Sequence, residues 1–330
     1  MKNTLIAMLL CCSVMSAFAQ NARSPLQLIQ TIPLPNVAGR IDHMDIDAET
    51  MRLFIAALGN NSLEVVNLHS GTVVRSFKGF SEPQGVAFVP EMKLIVVANG
   101  GNGNCMLIDG DSYGFVQSIN LQNDADNVRR IRGSRTVYVG YGNGGVAALD
   151  LGKGIVTAQV SLPGHPESFQ LDRASNRMYV NIPAQHEIAV VDWDAPASVL
   201  AAWQLDSLSG NFPMAIDDKG SRLFIGTRDP PRLVVMSTDS GKIISSLECS
   251  DDADDIYYDA ALKRIYVSCG EGFIDVFHQQ DSGQYIRDTK IPTAPGARTS
   301  LFVPSLNEFI LAVPREGSHN AELRIYRVQQ

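Results

Sequence analysis

Seven times along the chain a charged residue introduces a short apolar run: RLFIA at 52, KLIVVA at 93, RTVYVG at 135, RMYVN at 177, RLFIG at 222, RIYVS at 264 and EFILAV at 308. The copies recur every 41 to 45 residues. Each run is rich in β-branched, aromatic and aliphatic residues and is bounded by Gly, Asn or Asp, which reads as a strand between turns. Around each run the same order returns: a strand entering from a polar loop, the run, a Gly/Asn-rich hairpin, a third strand such as LEVVNL or IAVVDW, and a fourth such as TVVRSF or KIISSL. Four short strands on a period of about 40 to 45 residues mark a β-propeller, because one such sheet can bury its faces only against its neighbours. No stretch beyond the N-terminal apolar segment carries the 3.6-residue apolar spacing of a helix. The expectation is therefore an all-β, seven-bladed propeller of four-stranded antiparallel blades, a single domain over 20–330, with almost no helix.

The last repeat ends one strand short, after LRIYRV at 323–328. Near the N-terminus LQLIQTIPLPNVAGR at 26–40 parallels YIRDTKIPTAPGAR at 285–298, with a strand, Ile-Pro, a short loop, Gly and Arg in common. Residues 26–33 are thus expected to form the outer strand of the last blade, a clasp that closes the ring and removes an open edge.

The RLFIA, RIYVS and VYVG runs with Gly/Asn hairpins between them resemble the YVTN-type repeats of secreted bacterial propellers, the YncE-like group. The resemblance spans nearly all of the chain after its first 20 residues. It implies a secreted seven-bladed propeller and says little about activity, since the repeats are structural.

The N-terminus agrees with export. Lys2 followed by the apolar stretch Leu5 to Val14 and by Ala17-Phe18-Ala19 reads as a signal peptide over residues 1–19, cleaved after Ala19 to a periplasmic or secreted protein. The apolar run is shorter than the ~20 residues of a membrane span, and Leu10 before Cys11 does not fit a lipoprotein signal. Without the signal the chain has 26 basic and 35 acidic residues. With no basic patch, it is a poor partner for nucleic acid, whose binding rests on Lys and Arg at phosphates. Neither membrane insertion nor an oligomer is indicated, and a monomer is expected. Cys105, Cys249 and Cys269 remain after cleavage, and Cys249 with Cys269 is the expected pair if a disulfide forms.

Two acidic phrases, NDADNVRRI at 123 and DDADDIYYD at 251, stand three repeats apart. Neither is an EF-hand: in the second, Ile256 and Leu262 occupy the positions that require Gly and Glu. GYGNGG at 140–145 has dinucleotide-loop spacing but joins two strands and opens no helix, so it is a turn. The phrases instead lead into inner strands. Aligning the seven inner-strand starts gives first residues Asp42, Gln84, Asp126, Glu167, Phe212, Asp254 and Arg298, and His43, Asn127 and Asp255 among the second. A propeller brings these starts to one mouth of its central channel. The rim formed by Asp42, His43, Gln84, Asp126, Asn127, Glu167, Asp254, Asp255 and Arg298 is the expected ligand site.

Crowded carboxylates repel by about 4 kcal/mol for two charges 4 Å apart at an effective dielectric of 20, so they need a cation, a raised pKa or distance. Arg298 offers part of the compensation. Ca²⁺ or another divalent cation held by some of Asp42, Asp126, Asn127, Glu167 and Asp254 would offer the rest. His43 and His165 lie in channel-side loops, where either has the chemistry of a general base. Two functions fit: a binding scaffold for a protein, peptide or small-molecule ligand at the rim, or a cation-dependent, lactonase-like hydrolase with an axial metal. The sequence favours binding and assigns no catalytic residue.

Overall fold

The apolar runs become strands with neighbours on both faces. The structure, a computed structural model, describes residues 24–193 and 197–330; the signal peptide expected over 1–19 lies outside them. Seven four-stranded antiparallel sheets succeed one another, and all seven runs are the second strands of their blades, from Arg52–Ala57 to Glu308–Val313. Helix among the described residues is limited to three single 3-10 turns, Leu58–Asn60, Pro183–Gln185 and Pro304–Leu306.

The core explains why these runs are continuously apolar. It consists of seven clusters, each between two adjacent blades. In the first run Leu53, Ile55 and Ala57 pack toward blade seven, whereas Phe54 and Ala56 pack toward blade two. Side chains alternate across a strand, so a strand covered on both faces has no polar side to show. No blade holds a core of its own, so each buries its faces only against its neighbours.

Closure follows the expected route. Leu26–Leu34, one residue longer than expected, pairs antiparallel with Ala321–Val328 as the outer strand of blade seven. At the channel end the closure is repeated, with Thr299 donating from Oγ1 to the Ile41 carbonyl at 3.0 Å.

The inner strands converge so closely that one position admits no side chain. A Cβ on Gly85 of blade two would stand 2.1 Å from the backbone oxygen of Asp126 in blade three. Gly85→Ala must therefore push these neighbouring strands apart. It is expected to cost about 1–2 kcal/mol, read as a lowered Tm; an unchanged Tm would mean that the blades separate freely there. GYGNGG is the expected hairpin, with Tyr141 paired to Gly145. The thiols of Cys249 and Cys269 face each other within hydrogen-bonding distance at 3.8 Å and are not joined as a disulfide, and Cys105 is buried elsewhere.

Candidate functional site

The central channel holds two cavities, each lined from all seven blades. The first is a funnel of about 190 Å³ lined by Arg40, Gln84, Asp124, Asp126, His165, Glu167, Phe212, Arg228, Asp254 and Arg298. Six of the seven expected first-position residues meet there, and Asp42 lies beside them under Arg40. The second, about 480 Å³, takes its walls from the positions that follow: His43, Ser168, Pro213 and Asp255 at the second, Met44, Val86, Val128, Met214 and Ile256 at the third, and Asp45, Ala87, Arg129, Gln170, Ala215, Tyr257 and Leu301 at the fourth. The split follows position along the inner strands: first residues line the funnel, and the residues after them, each about 3.3 Å further on, line the second cavity. His43 and Asp255, expected at the rim, thus belong to the second cavity.

One half of the funnel is neutralised internally. Asp42, 1% exposed, has Arg40 Nη2 at 2.9 Å and His43 Nδ1 at 3.0 Å. Burial works to raise its pKa, but these two cations outweigh burial and hold it below the ordinary range. The same pairing drives His43 up to about 9 against its own burial. Arg228 reaches from the end of blade five's second strand to donate to Asp254 at 2.6 Å and to the Ala253 carbonyl at 3.1 Å, with its guanidinium 3.9 Å from the Phe212 ring centre. Arg298 grips both oxygens of Asp252 at 2.7 Å and stands 3.2 Å from Asp254. Burial nonetheless keeps the Asp254 pKa above its ordinary value.

The other half lacks arginine. Asp124 accepts from the Gln84 amide at 3.0 Å. The His165 Nδ1–H donates to the Gly142 carbonyl, which turns Nε2 toward Asp126 Oδ2 at 3.7 Å. Against burial, the Asp126 carboxylate, that carbonyl and Asp124 raise His165 to about 9. Glu167 is pushed up to about 7 by burial and by the Asp126 charge. Asp126 is 5% exposed, and its Oδ1 is buried without a hydrogen-bond partner.

The five expected cation ligands therefore separate. Ligand atoms of Asp126, His165 and Glu167 lie within 4.8 Å of one another, but Asp42 and Asp254 are held by arginines instead. Asn127 is buried, does not line the funnel, and leaves its Oδ1 without a partner. Of the two histidines, His43 stands beside Asp42, whereas His165 engages Asp126 and Asp124 and lies near Glu167.

Sequence reasoning missed Arg40, Arg228, Asp124 and Asp252. The two acids carried a signal: Asp124 and Asp252 precede their inner strands at φ of 41° and 58°, a left-handed turn position that Asp tolerates. From there each reaches a neighbouring blade.

No protein-family model matches the sequence, and no curated protein does. Among solved structures, a chain of the crystal structure of a mitotic checkpoint complex superposes with a TM-score of 0.77 at 12% identity, with all of both chains covered. The crystal structure of RRP9 WD40 repeats gives 0.77 at 10% identity, covering 92% of this chain and all of that one. Likeness at such identity speaks for the propeller fold alone. Among the described residues no helix is long and apolar enough to cross a membrane.

Proposed function

We propose that this is an exported, monomeric propeller of the YVTN-type, YncE-like kind that serves as a binding scaffold, taking a cationic group of a protein, peptide or small ligand into the funnel. The carrying observation is the uneven charge at the mouth. Arg40, Arg228 and Arg298 are spent on Asp42, Asp252 and Asp254, which leaves Asp124, Asp126 and Glu167 with His165 as their one cation among the described residues. An ammonium or guanidinium group answers that surplus by charge and by donating hydrogen bonds. The similar chain belongs to a mitotic checkpoint complex, which agrees with a protein partner here. Free lysine and a short lysine-containing peptide are expected to bind saturably, more weakly at high salt. Asp126→Asn should weaken both by at least about tenfold, the loss of one charge-assisted hydrogen bond. Equal binding of a glutamate-containing peptide would overturn this reading.

A second reading rests on the Asp126, His165 and Glu167 group: a cation-dependent hydrolase whose ion polarises a carbonyl or activates water. The imidazole nitrogen shifts the choice from Ca²⁺, an oxygen-seeking ion, to one such as Zn²⁺ or Mn²⁺. Zn²⁺ uptake at one per chain, abolished by His165→Ala and competitive with lysine, would favour it; no uptake would remove it.

A further inference from the structure

The larger channel cavity carries a charge pattern opposite to that of the funnel. Its arginines come from one blade: the inner strand of blade three, Ala125–Arg130, ends in Arg129 and Arg130, and Arg132 follows at the surface, while His43 of blade one is already paired with Asp42. Where Arg129 stands, the other six blades place Asp45, Ala87, Gln170, Ala215, Tyr257 and Leu301.

Arg129 is the unusual group. Its Nη1 donates to the Val128 carbonyl at 3.0 Å and its Nη2 to Ser168 Oγ at 3.1 Å. Of the five N–H groups of a guanidinium, three are left without an acceptor among the described residues. Arg40, Arg228 and Arg298 each have a carboxylate within 3.0 Å, whereas none of the described residues forms an ion pair with Arg129. Arg129 is part-buried, with its guanidinium 5.7 Å from the Phe169 ring centre, and a cation so placed without a counterion is stabilised by an anion that reaches it. The two acids in the same cavity are engaged elsewhere: Asp45 accepts from the Ile46 and Phe88 amides, and Asp255 accepts from the Ser300 amide at 2.7 Å. The rest of the wall mixes apolar Val86, Met214, Ala215, Ile256 and Leu301 with Ser168, Gln170, Tyr257 and Tyr258. One charged group left without a partner, beside apolar wall segments in a cavity of this size, is how small-molecule sites are built.

We infer that this cavity binds a small organic monocarboxylate, with its carboxylate on Arg129 and its hydrocarbon body against Met214, Ile256 and Leu301. A planar guanidinium matches a carboxylate, and the nearby Asp45 and Asp255 oppose a second negative charge on the ligand. Arg130 and the exposed Arg132 supply positive potential toward the surface and draw anions in. The site is separate from the funnel and does not depend on its function.

The test titrates the full chain with acetate, butyrate and benzoate, with inorganic phosphate and benzyl alcohol as comparisons, followed by amide chemical shifts and by Tm. The expected result is saturable binding that tightens from acetate to benzoate, raises Tm and shifts the amides of Ala215 and Ile256. Arg129→Gln should weaken benzoate binding by at least about tenfold, while Glu167→Gln in the funnel leaves it unchanged. Absence of saturation with all three carboxylates overturns the proposal, as does benzoate binding undiminished in Arg129→Gln. Phosphate or benzyl alcohol binding as tightly as benzoate overturns the carboxylate assignment. Should Arg129→Gln not fold, the wild-type shift map and Arg129→Lys decide: shifts confined to residues outside the channel refute the site.

Discussion

Ile32→Asp is expected to leave the protein without a stable closed ring. Ile32 lies in the clasp strand, is fully buried and pairs with Leu323. It packs in the cluster that joins blade seven to blade one, with Leu53, Ile55, Ile310 and Ile325. A carboxylate there has no partner, and it replaces the contact through which the first blade meets the last. Burying an unpaired charge in a core is among the few single changes that cost more than about 4 kcal/mol. In a chain of this size each kcal/mol moves Tm by about 2 °C, so a fall of about 10 °C or loss of the folded transition is expected. Aggregation should accompany it, because Ala321–Val328 would become an open edge. The control is Ile29→Asp three residues earlier, 44% exposed on the same strand, which should stay within about 0.5 kcal/mol of wild type. Similar melting of Ile32→Asp and wild type would mean that the ring does not need its clasp.

The clasp is visible in the sequence itself, through the parallel between 26–40 and 285–298. The fold was legible because one constraint repeats seven times: each second strand is covered on both faces and cannot be polar. The funnel was partly legible for a related reason, as the repeat aligned Asp126 with Asp254 and both line it. What stayed hidden were side chains arriving from outside the aligned positions. Arg228 ends a strand two residues longer than the RLFIG run announces, and Arg40 comes from the loop before blade one. Their guanidiniums change the electrostatics of the mouth, so the acids that seemed to need a metal divide into a satisfied half and an unsatisfied one. The second cavity was missed although its rule was at hand. An inner strand that starts at the mouth continues along the channel, so the residues after Asp126 lead to Arg129 and those after Asp254 to Asp255 and Tyr257.

Two residues of that second layer should give the protein a stability that falls as pH rises, through opposite mutational responses. His43 holds its proton more tightly folded, at about 9, than at its ordinary 6.5, because Asp42 outweighs the penalty of burial and Asp255 and Asp126 add to the pull. Its contribution is complete below about pH 6.5 and is lost as pH climbs through about 9. Asp255 is raised from 3.8 to about 7 by burial and by Asp254, against the influence of His43, Arg129 and the Ser300 amide. The folded state thus favours its protonated carboxyl, a contribution present below about pH 4 and lost as pH rises through about 7. Denaturant unfolding from pH 4 to 10 reads both. His43→Gln should be less stable than wild type at pH 6, by about 3 kcal/mol at most, with the deficit shrinking as pH rises from about 6.5 and gone above about 9. Asp255→Asn keeps the acceptor for Ser300 and never ionises, so it should gain on wild type above pH 7 and show no gain at pH 4. It should also move the His43 step to lower pH, since one of the carboxylates holding that proton is gone. If His43→Gln and Asp255→Asn run parallel to wild type across the whole range, the two groups titrate as they would in water and the channel is not the desolvated place that its geometry describes.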